Sequence, residues 1–267
     1  MFNIGLLMIV ITLCIPGIWL MTKHTTKMLL ENPENTLSKE KLTLIIWAQT
    51  LVIVALCAGS GVYFGPKVGL TDPFLQGITR GELLMSNLSL QLVVGALAGI
   101  VCTIVWMSCY YGFIRQRLEK ESVLITEELR HQLGLWTRVT SGGITEEVIF
   151  RWGFLSIVMW LLSLLISSEV TVFLISIIGT GILFGLAHLP GNFAAGCKPS
   201  VMLVATAIIS NLWVSLFCGY LFWNYGLIAA MVVHILFHVI WYPWDQASYA
   251  KISKASLESE SPTFFTK

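Results

Sequence analysis

The sequence predicts an all-α fold, a polytopic transmembrane helical bundle of about seven spans, with eight as the alternative. Of the 267 residues, 56% are hydrophobic and only 12% are charged, and the mean hydropathy is +0.79. Soluble domains carry about 25% charged residues and could not bury so much apolar surface. Apolar runs of roughly 20 residues also recur along the chain, which is the length that crosses a bilayer.

The predicted spans follow one another from the first residues almost to the end of the chain. The first lacks a basic leading segment and is longer than a signal-peptide core, so we expect a retained helix. The seven spans cover residues 2–21, 43–64, 90–113, 145–166, 170–189, 201–222 and 225–243.

Three segments outside the spans have distinct characters. Residues 65–82 contain Pro66, Pro73 and several glycines, which predict a partly ordered loop. Residues 116–140 alternate charges with leucines in the pattern of an amphipathic helix that lies along the membrane surface. From Asp245 onward the chain is polar and rich in serine, which predicts a mobile tail.

The distribution of lysine and arginine predicts the orientation. With seven spans, all of these residues outside the membrane fall on one side except Lys67 and Arg80. Because cytoplasmic loops carry the excess of positive charge, we expect the N-terminus outside and the C-terminus inside.

Three charged residues interrupt the fourth predicted span. An ionisable group at the centre of a membrane helix costs about 2.5 to 3.5 kcal/mol, so it needs a partner or a function. Glu147 and Arg151 are four residues apart and can pair on one helix face. Glu146 points about 100 degrees away, where it could face a cavity and act as a general base on water. Alternatively, the three charges only hold helices together.

Histidines occur in two later spans. His188 precedes Pro190 at a helix end, where it is either an interfacial residue or a functional one. His234 and His238 are four residues apart, so their imidazoles share one helix face and can contact the same group. That group could be a metal, a substrate carbonyl or a water. The predicted topology brings these histidines and the glutamates together in the inner half of the bilayer.

This ordered set of motifs resembles that of the CPBP family of intramembrane endopeptidases. That family includes the type II CAAX prenyl proteases and bacterial proteins linked to bacteriocin processing and self-immunity. The similarity covers residues 145–241. It rests on Glu146-Glu147-x-x-x-Arg151, Phe184-x-x-x-His188 and His234-x-x-x-His238.

The resemblance implies a role for each of these residues. Glu146 would be the general base and His188 would position the water. His234 and His238 would stabilise the oxyanion, while Glu147 and Arg151 would support the site. The chain would then divide into N-terminal membrane helices (1–115), an amphipathic interfacial connector (116–144), a catalytic helical core (145–243) and a polar C-terminal tail (244–267).

One position departs from the family, because the CAAX proteases typically have asparagine where this chain has His238. An imidazole can donate a hydrogen bond as an amide does. Two histidines and two acids also resemble metal ligands, but an HExxH motif is absent. We therefore favour metal-independent hydrolysis without a cofactor; the alternative is zinc held by Glu146, His188, His234 and His238.

The expected partners are membrane lipids and a peptide or membrane-protein substrate. Nucleic acid is not expected, since the sequence contains no basic block. The expected location is the bacterial inner (plasma) membrane.

Two other functions stay open: a catalytically silent interaction or immunity protein of the same family, and a proton-coupled transporter. Transporters more often show internal repeats, and we find none in the sequence.

Overall fold

The computed structural model of the protein describes residues 2–260, and the side chains from residue 2 to 254. Helices account for nearly all of this part of the chain, and no strand occurs in it, so the predicted all-α class is confirmed. The α-helices are α1 (Ile4–Leu30), α2 (Lys39–Phe64), α3 (Pro73–Thr79), α4 (Met85–Cys109), α5 (Lys120–Thr137), α6 (Ser156–Ser163), α7 (Glu169–Ala187), α8 (Leu189–Ala194), α9 (Val201–Asn224) and α10 (Leu227–Glu260).

Six helical stretches are long and apolar enough to cross a membrane, where the sequence predicts seven. They are those of an integral, multi-pass membrane protein: Ile4–Leu30, Lys39–Val68, Met85–Arg117, Glu169–Ala194, Val201–Asn224 and Leu227–Lys254. The fourth predicted span, 145–166, is the one that differs, because three charges interrupt it. It is helical, but it consists of two π-helical segments, Arg138–Glu146 and Val148–Leu155, followed by α6. Wide π turns are rare in helices and are frequent at functional sites.

Helix α10 packs against α4, α5, α9 and the Arg138–Glu146 segment. Glycine makes the closest of these approaches possible. A Cβ atom at Gly143 would lie 2.5 Å from Cγ1 of Ile235 and 3.1 Å from its backbone, and one at Gly95 would lie 2.8 Å from Cβ of Val232. Small residues at helix crossings let backbones come close together in membranes. Through these crossings the histidines of α10 reach the charged π-helical region.

Residues 65–82, expected to be a partly ordered loop, are largely helical. A 3₁₀ turn spans Gly65–Val68, and α3 begins at Pro73, a residue type that suits the first position of a helix. The buried carboxylate of Asp72 caps α3 by accepting a hydrogen bond from the Leu75 amide at 2.9 Å. Its other oxygen accepts from the Ile228 amide at 3.0 Å, at the start of α10.

Helix α10 does not end near residue 243, as the predicted polar tail would require, but continues through Pro243 to Glu260. Contacts with α5 and with the segment that follows it hold this continuation in place. Asp245 is only 2% exposed and forms ion pairs with Arg130 and Arg138, and Ser248 donates a hydrogen bond to Glu127 at 2.9 Å. Residues 261–267 of the predicted tail lie outside the described residues.

The predicted amphipathic segment is helical as α5. Gly134 interrupts it with a φ of +66°, a conformation that favours glycine. Beyond this bend the chain enters the π-helical segment Arg138–Glu146, and Glu147 follows it directly. The bend therefore connects the amphipathic helix to the segment that holds the charged residues.

Candidate active site

The carboxylate of Glu147 is completely buried between a histidine and an arginine. Its Oε1 atom lies 2.7 Å from Nδ1 of His234 and 3.3 Å from Nη1 of Arg151. The predicted pairing of Glu147 with Arg151 is thus confirmed. The other end of the arginine is fixed as well, because its Nη2 donates a hydrogen bond to Oγ of Ser215 at 2.8 Å. A chain of polar contacts therefore runs from α9 to the imidazole of His234.

Phe184 forms the apolar centre around which these groups pack. Its ring centroid lies 4.8 Å from that of His188 and 6.1 Å from that of His234. The guanidinium of Arg151 lies 4.6 Å from the same centroid, within range of a cation–π interaction. The phenylalanine of the sequence motif thus packs against two histidines and the arginine of the buried ion pair.

The partners of two imidazoles determine their neutral tautomers. Nδ1 of His188 lies 2.8 Å from the carbonyl oxygen of Phe184, which only accepts, so Nδ1 carries the proton and Nε2 is free to accept. Nδ1 of His238 lies 3.4 Å from Nε of Arg138, which only donates, so the proton of His238 is on Nε2. The first histidine therefore offers an acceptor, and the second offers a donor.

A cavity of about 510 Å³ opens beside these rings. Four of the six predicted site residues line it: Glu146, His188, His234 and His238. The other two, Glu147 and Arg151, are buried and do not contribute to its lining. The two adjacent glutamates thus diverge as the helix geometry predicts, one toward the cavity and one toward the protein interior. The rings of His234 and His238 stack with centroids 4.9 Å apart.

A second ionic cluster, which the sequence did not predict, lies on the cavity wall. Nη1 of Arg138 lies 2.8 Å from Oδ2 of Asp245, and Nε of Arg130 lies 2.9 Å from the same oxygen. The sequence offered one signal for this cluster: Asp245 directly follows the aromatic run that ends at Trp244. An acid that is buried next to such a run needs a charged partner.

The proposed alternative zinc ligands do not form a metal-sized group. Among the described residues, the cluster of donors close enough to share an ion is Glu147, Cys218 and His234, whose ligand atoms lie within 4.8 Å of one another. These donors are already engaged, because Glu147 pairs with Arg151 and His234. The thiol of Cys218 donates to the carbonyl of Ala230 at 3.5 Å. Glu147 is thus engaged in an ion pair, and we derive no metal-dependent step from this group.

Comparison with known proteins supports the resemblance seen in the sequence. Residues 132–240 match the family model described as type II CAAX prenyl endopeptidase Rce1-like. The matched range includes all six predicted site residues, so the resemblance is confirmed over this part of the chain. No curated protein and no solved structure matches the chain.

Proposed function

Proceeding from this match to a family of endopeptidases, we propose that the protein hydrolyses a peptide bond within the membrane, with a water molecule activated by Glu146. The different surroundings of the two adjacent glutamates support this function. Glu146 lines the cavity, whereas Glu147 is fully buried behind it. A general base must reach both water and substrate, and only Glu146 meets that requirement.

The histidine tautomers fit separate roles in this reaction. His188 presents a free Nε2 acceptor and would hold the attacking water. His238 presents an Nε2–H donor and would bind the developing oxyanion. His234 donates its Nδ1 proton to Glu147, which fixes the orientation of its ring stacked on His238 beside the proposed oxyanion position. Preorganised donors of this kind usually contribute the largest electrostatic term in catalysis.

The reaction would proceed in two steps. Glu146 takes a proton from the water, and the resulting hydroxide attacks the carbonyl carbon to form a tetrahedral intermediate. The C–N bond then breaks, and the leaving amine takes the proton from Glu146. No metal or cofactor takes part in these steps.

We also propose that the protein lies in the bacterial inner membrane with its N-terminus outside and its C-terminus inside. This orientation requires the helical run of residues 138–163 to cross the membrane as a seventh span. The cavity borders α5 and α8, on the side where lysine and arginine are concentrated. A substrate would therefore be cleaved near the cytoplasmic surface.

Mass-spectrometric mapping of protein termini in membranes tests the proposed activity. Cells would express the wild type, Glu146→Gln, or the control Glu34→Gln in the exposed turn after α1, all at matched levels. We expect new termini with the wild type and the control, and none with Glu146→Gln. Identical termini in all three samples, with each protein correctly inserted, would instead favour a silent interaction or immunity role.

A further inference from the structure

Two arginines on the cavity wall, one buried (Arg138) and one half-buried (Arg130), share one carboxylate. Asp245 accepts from both Arg130 and Arg138. Within the part of the chain whose side chains are described, no other acidic side chain lies within ion-pair distance of either guanidinium. The cluster therefore retains one positive charge. An uncompensated charge in a poorly solvated position is costly, so proteins usually supply it with a counter-ion.

The hydrogen bonds of Arg138 leave one of its donor atoms unsatisfied. The residue is 4% exposed; its Nη1 atom is paired with Asp245 and its Nε donates to His238. Its Nη2 atom is buried and has no hydrogen-bond partner among the residues whose side chains the structure describes. Leaving a buried donor of a charged group unsatisfied costs about 1–3 kcal/mol or more. An acceptor that arrives with a ligand would recover this free energy.

The side chain that carries this donor lines the same cavity as the proposed reaction centre. Arg138, Glu146 and His238 all line it. Glu146 is the nearest acid in the sequence, yet it forms no ion pair with Arg138 in the described structure. An anion bound at Arg138 would therefore be held beside the proposed oxyanion donor His238 without displacing the general base.

We propose that Arg138 binds a carboxylate of the peptide substrate and so fixes the position of the scissile bond in the cavity. This inference rests on the proposed endopeptidase function. The planar guanidinium matches a carboxylate in shape and charge, and such pairs are stronger than neutral hydrogen bonds. The carboxylate comes either from the C-terminus of the substrate or from an acidic side chain near the cleaved bond.

Peptide binding tests the carboxylate site directly. The protein carries Glu146→Gln, so that nothing is cleaved, and is held in nanodiscs of zwitterionic lipid. Calorimetry then measures three forms of one N-acetylated tetrapeptide, Ac-Ala-Val-Ile-Leu: the free acid, the C-terminal amide, and the amide with aspartate as its last residue. We expect the free acid to bind at least about tenfold more tightly than the amide.

The third peptide identifies the source of the carboxylate. If the aspartate peptide binds like the free acid, the site recognises any carboxylate at that position. If it binds like the amide, the site recognises the C-terminal carboxylate specifically. Equal binding of all three peptides would overturn the inference, and this comparison does not depend on how any arginine variant folds.

Substitution of the arginine assigns the effect to its side chain. Adding Arg138→Gln should remove the preference for the acid, so that the acid and the amide bind with equal affinity. Arg138→Lys keeps the charge but loses the forked geometry, so we expect part of the preference to remain. The matched control is Arg80→Gln, which changes an exposed arginine paired with Glu82 and should keep the full preference.

Failure of this inference can be told apart from failure of the proposed function. If the wild type produces new protein termini but the free acid and the amide bind equally, only the carboxylate site is overturned. Preference for the acid without any proteolysis would overturn the endopeptidase function and leave the carboxylate site standing.

Discussion

Oγ of Ser215 lies 2.8 Å from Nη2 of Arg151, and this hydrogen bond joins α9 to the contacts that hold His234. A hydroxyl in the middle of an apolar helix thereby orients a guanidinium, which in turn fixes the carboxylate of Glu147. Residues that touch no substrate thus determine the direction of an imidazole at the cavity.

Replacing Ser215 by alanine should destabilise the protein by about 1–3 kcal/mol, because a buried donor of Arg151 loses its acceptor. Thermal unfolding in detergent measures the change. The control is Ser108→Ala, which removes an exposed hydroxyl bonded only to its own helix and should have little effect. Equal shifts for the two variants would contradict the positioning role of Ser215.

Glu147→Gln should behave differently from Glu146→Gln. Breaking the buried pair leaves Arg151 without its counter-charge, and such losses cost about 3–5 kcal/mol. Glu146 has no ion pair in the described structure, so its replacement should abolish proteolysis with little change in stability. Unfolding measurements on both variants, combined with mapping of termini, check this contrast. Adding Arg151→Met should restore part of the stability lost in Glu147→Gln.

His238→Asn should retain part of the activity, whereas His238→Leu should lose about 10²–10³-fold in kcat. An amide offers both a donor for the oxyanion and an oxygen that can accept from Arg138, as the imidazole does now. Leucine offers neither. Kinetics on a substrate identified by mapping of termini measure the difference, and equal losses in the two variants would exclude the donor role.

Gly143→Ala should loosen the crossing between α10 and the Arg138–Glu146 segment. The added Cβ would lie 2.5 Å from Cγ1 of Ile235, so the helices must separate, at a cost of about 1–3 kcal/mol. Thermal unfolding measures this loss. In Gly179→Ala the new methyl group meets open space on α7, so we expect no destabilisation.

Relationships along a single helix were predictable from the sequence. The pairing of Glu147 with Arg151, the divergence of Glu146 from Glu147 and the shared face of His234 and His238 all follow from helix periodicity. The regular spacing of these residues also carried the family resemblance, and the family match covers the same range.

Contacts between distant segments could not be read in the same way. Arg138 and Asp245 are 107 residues apart, and Asp72 reaches the Ile228 amide across 156 residues. A lone acid in a polar stretch looks the same in the sequence whether it is solvated or paired. Both segments were therefore interpreted as weakly ordered, although tertiary ion pairs and caps make them part of the folded structure.

Helix α10 is anchored near its start by Asp72 and beyond its apolar part by Asp245. At 1.5 Å per residue, His234 stands about 9 Å from the first anchor and about 17 Å from the second. The two anchors therefore set how deep in the bilayer His234 and His238 lie. Weakening either anchor would let α10 shift along its axis. We expect such a shift to move the point of cleavage along a substrate before it abolishes cleavage.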